Sequence, residues 1–332
     1  MNIAVLGDGG WGTTLAILLN NKGYNLTLWS AFADYALYLD KKRENKKFLP
    51  GIRIPENIKI TSNLEEALLG KEIVIFAIPS IYLRSVLKEI KKYKITKSIF
   101  VSATKGIERK TLMRMSEVIK DELKNIKLSV LSGPTIAQEV ARGVPTTAVI
   151  ASFDKKMNSF LQEVFITERF RVYTNVDLIG VELGGSLKNV IAIACGIADG
   201  LGFGTNTKAA ILTRGLVEIT RLGVAMGANS KTFSGISGLG DMATTCMSCF
   251  SRNRYVGEEI GKGRCLKDIL KKMAMVAEGV FTAESAYKLS LKYKIDMPIT
   301  REVYFVLYKD KPPHVAVRDL MSRERKDEMT DD

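Results

Sequence analysis

Short apolar runs alternate with longer stretches of helical periodicity through the first half of the chain, and the alternation stops near the middle. Ile3-Ala4-Val5-Leu6 runs into a group of glycines and then into an apolar helix continuing from Thr13. Leu26-Thr27-Leu28-Trp29 is a second run, followed by a polar helical segment and the turn Phe48-Leu49-Pro50-Gly51, and Ile58-Lys59-Ile60 is a short third. Ser62-Asn63-Leu64-Glu65 reads as a capping box that opens a helix through Leu69. Further strands are expected over residues 72–77, 98–102, 128–131, 146–151 and 170–173, with helices over 81–93, 112–123 and 155–165. Such alternation predicts βαβ units and a parallel sheet with helices on both faces. From about Asp177 the periodicity is almost wholly helical, punctuated near Gly200 to Gly204, Gly235 to Gly240 and Pro298. The pattern therefore predicts an α/β chain in which a Rossmann-type doubly wound sheet, residues 1–186, is followed by an all-α C-terminal domain, residues 187–332. No biased linker separates them, so a long helix from about Asp177 is expected to cross directly. The last residues, 323–332, mix both charge signs and are expected to fray.

The first strand is followed at once by Gly7-Asp8-Gly9-Gly10-Trp11-Gly12, a G-x-G-x-x-G between strand and helix. The three glycines serve different ends. Gly7 permits the tight turn, Gly9 lets a pyrophosphate approach the backbone, and Gly12 lets the helix pack close to the sheet. The helix N-terminus then presents free N–H groups and partial positive charge to the phosphates. A dinucleotide site for NAD or NADP is the expectation, against the alternative of a purely structural turn.

Composition narrows the class. With 46% hydrophobic and 26% charged residues over 332 positions, the chain can bury two substantial cores. No stretch approaches the roughly eighteen uninterrupted apolar residues of a membrane span, and the N-terminal run lacks a basic flank and is broken by glycines. A cytoplasmic location is expected. Four cysteines, Cys195, Cys246, Cys249 and Cys265, are too few for a disulfide scaffold, and Cys246-Met247-Ser248-Cys249 lacks the two further ligands a zinc site needs, so no metal is expected. The net charge of +13 is spread over helix surfaces, and its densest cluster, Lys41-Lys42-Arg43 with Lys46-Lys47, has no aromatic interleaving. That distribution speaks against nucleic acid and for a field that steers a small phosphorylated substrate.

A dehydrogenase working on a secondary alcohol needs a group to exchange the hydroxyl proton. The single histidine, His314, follows Pro312-Pro313 far from every glycine-rich feature and reads as structural or surface. That role falls to a lysine or a carboxylate. Ligands of doubly wound folds gather at strand-to-helix junctions, which here are Ala77-Ile78-Pro79-Ser80, Ala103-Thr104-Lys105-Gly106 and Ser132-Gly133-Pro134-Thr135-Ile136-Ala137. Lys105 could touch a phosphate or polarise an oxygen, or simply be solvated. In the helical half, Lys188 and Asn189 stand in a small, apolar helix where burial would lower a lysine pKa, unless the side chain snorkels. Gly238-Leu239-Gly240-Asp241 offers a carboxylate, and Ser251-Arg252-Asn253-Arg254 opens a helix suited to a dianion.

Taken together, these segments resemble the bacterial-type NAD(P)-dependent glycerol-3-phosphate dehydrogenases. The resemblance covers nearly the whole chain. It rests on the opening fingerprint, Ala103 to Gly106, Ser132 to Thr135 with Ala137, Gly184-Gly185-Ser186-Leu187-Lys188-Asn189, Asp199-Gly200 with Gly204, Leu212-Thr213-Arg214-Gly215, Gly238 to Asp241, Ser251 to Arg254 and Ala277-Glu278-Gly279, in order. It implies reversible reduction of dihydroxyacetone phosphate to sn-glycerol 3-phosphate, a precursor of phospholipids, with a homodimer as the plausible assembly. By the same resemblance Lys188 is the catalytic lysine and Asp241 lies beside it. Lys105 touches substrate and cofactor, and Gly133, Thr135, Ser251, Arg252 and Asn253 line the substrate site. Gly7, Gly9, Gly10, Trp11, Gly12, Ala31, Ala137, Arg252, Val276 and Glu278 fall on cofactor positions.

The chain departs from the pattern in two places. Ser30-Ala31 stand where a ribose-binding acid is usual after the second strand, Asp34 comes several residues late, and no arginine replaces it, so the choice between NAD and NADP stays open. Met247-Ser248-Cys249-Phe250 is less polar than the family's loop before Ser251. Two other readings compete: a hydroxyacid dehydrogenase of similar build acting on a carboxylate, and a regulatory protein that binds the dinucleotide without turnover.

Overall fold

A computed structural model describes residues 1–93, 95, 97–325, 327 and 328. The first half alternates β1 (Asn2–Leu6), α1 (Gly10–Asn20), β2 (Asn25–Trp29), α2 (Ala33–Lys42), β3 (Lys59–Thr61), α3 (Leu64–Leu68), β4 (Ile73–Phe76) and α4 (Ser80–Ile90). It continues with β5 (Ile99–Ser102), α5 (Met115–Leu123), β6 (Lys127–Ser132), α6 (Ala137–Ala141), β7 (Thr146–Ala151), α7 (Lys155–Phe165) and β8 (Phe170–Asn175). These strands form one sheet in the order β3-β2-β1-β4-β5-β6-β7-β8. Ile3, Ala4, Val5 and Leu6 are wholly buried because β1 is central and covered on both sides. Ile3 and Val5 join one core, Ala4 and Leu6 the opposite one.

The sheet departs from an all-parallel one at a single pair, since β6 and β7 run antiparallel. Residues 133–145 join the two strands through the short α6. The longer α7 restores a parallel pairing between β7 and β8. The expected capping box also shifts. Asn63, as good a cap as Ser, accepts from the backbone N–H of Glu66 at 3.2 Å, so α3 opens one residue later than Ser62 would place it.

The second half is helical: α8 (Leu178–Gly200), α9 (Thr205–Ala225), α10 (Ser230–Phe233), a π turn at Ile236–Gly240, α11 (Asp241–Met247), α12 (Arg252–Gly261), α13 (Leu266–Lys272), α14 (Glu278–Tyr293), α15 (Pro298–Tyr308) and α16 (Pro313–Met321). α8 is the predicted crossing helix and runs unbroken through Ser186. Asp177 caps it by accepting from Gly180 N at 2.9 Å. Glu182 ties it back to the sheet half, accepting from Ser116 N at 2.6 Å and from Arg114 Nη1 at 2.7 Å. Among the described residues α8 is the one helix long and apolar enough to cross a membrane, yet 94% of its most apolar window is buried inside the protein, as expected of a core helix. α12 lies against it at close range: a Cβ on Gly257 would stand 2.1 Å from Ile193 O, and one on Gly196 2.0 Å from Arg254 O. Of the expected frayed tail, residues 326 and 329–332 lie outside the described residues.

Candidate active site

The turn after β1 has the geometry its sequence requires. Gly7 has φ +118°, in the region that favours glycine, and a Cβ on Gly12 would stand 1.9 Å from Gly7 O. Gly9 has no atom within 4 Å of where its Cβ would be, which leaves that face of the loop open to a ligand. A Cβ on Gly10 would stand 3.5 Å from Ala137 Cβ, and the Ala137 carbonyl accepts from Thr14 Oγ1 at 3.1 Å, so the start of α6 forms a neighbouring wall. Trp11 is half-buried near Phe170, with ring centroids 6.4 Å apart. This open, glycine-lined helix start fits a dinucleotide pyrophosphate.

Lys105, in the loop after β5, joins this wall to the helical half. Its Nζ donates to Gly133 O at 2.9 Å and to Asp241 Oδ2 at 2.6 Å. Asp241 uses its other oxygen to accept from Lys188, so one carboxylate holds two lysines from two different elements. Lys188 and Asp241 are 5% and 1% exposed, so the lysine does not snorkel to solvent. Burial lowers the Lys188 pKa to about 8, against the Asp241 charge, which raises it, and the Lys105 charge, which lowers it further. Thr245, one turn along α11 from Asp241, accepts from Lys188 Nζ at 2.5 Å and donates to Asp241 O at 2.7 Å. Nothing in the sequence singled out Thr245; the i, i+4 spacing from Asp241 was the available signal. Gly133, at φ +132°, also accepts from Thr135 Oγ1 at 3.2 Å, which places that turn beside Lys105.

A second cluster adjoins the first through Gly106. Its N–H donates to Ser186 Oγ at 2.9 Å, and a Cβ there would meet Ser80 Cβ at 2.6 Å and Glu278 Oε2 at 3.2 Å. Glu278 accepts from Ser80 N at 2.8 Å and also from Ser80 Oγ, and burial raises its pKa. Arg252 donates to Val276 O at 2.7 Å, which joins the start of α12 to this cluster. Asn253 Nδ2 donates to Asn189 Oδ1 at 2.8 Å, and its own Oδ1 accepts from Gly279 N at 2.9 Å. Ser251 caps α12, accepting from Arg254 N at 3.2 Å. The Asn189–Asn253 bond therefore fixes the α12 N-terminus one residue from Lys188.

Other positions lie apart. Ala31 is exposed beyond β2, and Asp34 sits in the first turn of α2. His314 is exposed at the start of α16. Cys246 is buried and Cys249 exposed, so the C-x-x-C does not close on itself; contact with Cys195, together with burial, raises the Cys246 pKa. Among the described residues no group of three or more His, Cys, Asp or Glu side chains could hold a metal ion.

An open glycine cradle at a doubly wound sheet, linked through Lys105 to a buried lysine–carboxylate pair, defines a dinucleotide-dependent oxidoreductase of two-part build. Comparison with known proteins fixes the family. The family model described as NAD-dependent glycerol-3-phosphate dehydrogenase N-terminus matches residues 2–158, and that described as its C-terminus matches residues 177–318. The chain belongs to the NAD-dependent glycerol-3-phosphate dehydrogenase family. It is 50% identical over 329 residues to the glycerol-3-phosphate dehydrogenase [NAD(P)+] of Thermoanaerobacter sp. (strain X514), covering 99% of both chains. The protein of that name from Chlorobium chlorochromatii is 49% identical over 331 residues, again 99% of each chain. The crystal structure of glycerol-3-phosphate dehydrogenase from Coxiella burnetii superposes with a TM-score of 0.94 at 38% identity, covering 97% of this chain and 99% of that one.

Proposed function

We propose that this chain interconverts dihydroxyacetone phosphate and sn-glycerol 3-phosphate with NAD(H) or NADP(H), and that Lys188 exchanges the proton at the C2 oxygen. The observation that carries the assignment of roles is the bridging of Lys105 and Lys188 by Asp241 in a buried setting. Gly7 to Gly12, Trp11, Ala137, Arg252, Val276 and Glu278 would hold the nicotinamide cofactor, which would supply or accept a hydride at substrate C2. In reduction the Lys188 ammonium donates a proton to the oxygen as negative charge develops on it; in oxidation the neutral amine accepts the hydroxyl proton. A lysine whose pKa is about 8 can serve both directions near neutrality. Lys105 brings a second positive charge to the same oxygen and to the cofactor. Asp241 orients both lysines and keeps their charges from repelling one another.

The phosphate end of the substrate meets Ser251, Arg252 and Asn253. Free N–H groups at the start of the ten-residue α12 and the Arg252 guanidinium suit a dianion. Gly133 and Thr135 line the opposite wall. The residues 1–186 and 187–332 act as dinucleotide and substrate halves within this proposal, which also takes the protein to be a cytoplasmic homodimer supplying glycerol 3-phosphate for phospholipid synthesis. All four cysteines are free thiols, in keeping with a reducing compartment. Adding dihydroxyacetone phosphate to protein with NADH or NADPH should consume the reduced cofactor, and a Lys188→Ala variant should bind cofactor normally and lose turnover. Failure of the first assay with both cofactors refutes the activity; full turnover by the variant refutes the role of Lys188.

A further inference from the structure

Asp8, the residue between the first two fingerprint glycines, has a contact that the fingerprint itself does not call for. Its Oδ2 accepts a hydrogen bond of 2.5 Å from Ser30 Oγ. Ser30 is the first residue past β2, and β1 and β2 are parallel neighbours with Leu6 opposite Trp29. Asp8 and Ser30 therefore leave the sheet side by side at its carboxyl edge. In doubly wound dinucleotide folds the end of the second strand is where an acid meets the adenosine ribose, and where a basic side chain replaces it when the ribose carries a 2′-phosphate. Here that end offers Ser30, Ala31 and Phe32, neither acid nor base. A carboxylate stands there instead, from the turn after the neighbouring strand.

Its surroundings hold it there. Ser30 is fully buried and also lies 3.3 Å from Phe32 O, so its hydroxyl has little freedom to turn away. Asn45 Nδ2 donates to Asp8 O at 2.7 Å and to Thr13 Oγ1 at 2.8 Å, which pins the backbone of the turn. Burial raises the Asp8 pKa, while the Ser30 bond and the charge of Lys47 draw it back down. Beside this edge lies an open groove of about 470 Å³ lined by Asp34, Tyr35, Tyr38, Lys46 and Lys47. Those lysines attract any phosphate, the pyrophosphate common to both cofactors included, so they do not choose between the two.

We infer that Asp8, braced by Ser30, is the residue that sets cofactor specificity, and that it makes this chain prefer NAD(H), with its free 2′-hydroxyl, over the 2′-phosphorylated NADP(H). The inference rests on the dinucleotide site proposed above. A carboxylate accepts hydrogen bonds from ribose hydroxyls, whereas a 2′-phosphate removes one donor and sets anion against anion.

Binding of NADH and of NADPH, each measured without substrate by fluorescence titration, tests it. The unmodified protein should bind NADH roughly tenfold or more tighter than NADPH. Asp8→Asn and Asp8→Ala should each bring the two affinities to within about threefold, weakening NADH and tightening NADPH. Equal affinities in the unmodified protein, a preference for NADPH, or a ratio unmoved in both variants overturns the inference and leaves the dinucleotide site standing. If the unmodified protein binds neither cofactor, the dinucleotide site itself is wrong. Should both Asp8 variants lose their fold, Ala31→Arg decides: a base at the same edge should tighten NADPH alone, and an unchanged NADPH affinity overturns the inference.

Discussion

The Lys188 ammonium rests on the Asp241 carboxylate in the interior of the protein, and the same carboxylate reaches Lys105 at 2.6 Å. Two positive charges share one negative charge where water scarcely reaches. Asp241→Asn removes that charge and leaves the two lysines repelling each other, so the Lys188 pKa should fall below its present value of about 8. Turnover is expected to drop by about a hundredfold or more, because misplaced or prematurely neutral Lys188 cannot deliver its proton. Initial rates across pH, with NADH binding as a control for folding, check this. Rates within threefold of the unmodified protein would show that the carboxylate is dispensable.

The two directions of the reaction should respond oppositely to pH. In the mechanism proposed above, reduction needs Lys188 protonated, so its rate should decline as pH rises through about 8. Oxidation needs the neutral amine and should climb over the same interval. Both profiles should report one ionisation, displaced acidward in Asp241→Asn. Parallel profiles for the two directions would assign the proton to another group.

Thr245 completes the setting of Lys188 by accepting from its Nζ at 2.5 Å. Thr245→Val deletes that acceptor at nearly constant volume and should lower kcat by about tenfold with little change in KM, whereas Thr245→Ser should restore most of the rate. Equal loss in both variants would point to packing of the methyl group instead.

Much of this arrangement is legible in the sequence, and what is not has physical causes. The apolar runs locate the strands because a central strand buried on both faces leaves little choice of residue, and the helix over 155–165 and the strand over 146–151 fall where expected. Lys188 stands out because a cation inside a small, apolar helix needs a reason. The antiparallel β7 is harder to read, since strand periodicity does not encode the direction in which a strand pairs. Thr245 is invisible alone and acquires meaning only when α11 sets it beside Lys188. Asp8 is hidden in another way: a search along β2 for a ribose acid finds none, and only the fold sets the carboxylate of the turn after β1 against Ser30 at the end of β2.

The crossing of α8 and α12 depends on hydrogen in place of a side chain. A Cβ on Gly257 would stand 2.1 Å from Ile193 O and 2.8 Å from Ile197 N, both backbone atoms that cannot rotate away. Gly257→Ala should therefore part the helices at a cost of about 2 kcal/mol or more, a loss of several degrees in Tm. It should also weaken substrate binding, because Asn253 reaches Asn189 across this crossing at 2.8 Å. Gly204→Ala, where nothing lies within 4 Å, is the contrasting case and should cost about 1 kcal/mol or less, the preference for glycine over alanine at the N-cap of α9. Equal melting of the two variants would mean that the crossing adapts.

Glu218 gives the stability a pH dependence of its own. On α9 it is buried and accepts from Ile299 N at 2.6 Å and Thr300 N at 3.0 Å, capping α15. Burial raises its pKa from the ordinary 4.5 to about 7, although those hydrogen bonds favour the charged form. The folded state then holds this proton more tightly than the unfolded chain. Its contribution is fully present below about pH 4.5 and is lost as pH rises through about 7, amounting to about 3 kcal/mol. Glu218→Gln carries no such proton, so chemical denaturation of the variant at pH 5 and pH 8 should lack this part of the difference seen in the unmodified protein. Identical pH slopes for the two proteins would place the folded pKa of Glu218 near its unfolded value and assign the cap to a carboxylate that stays ionised throughout.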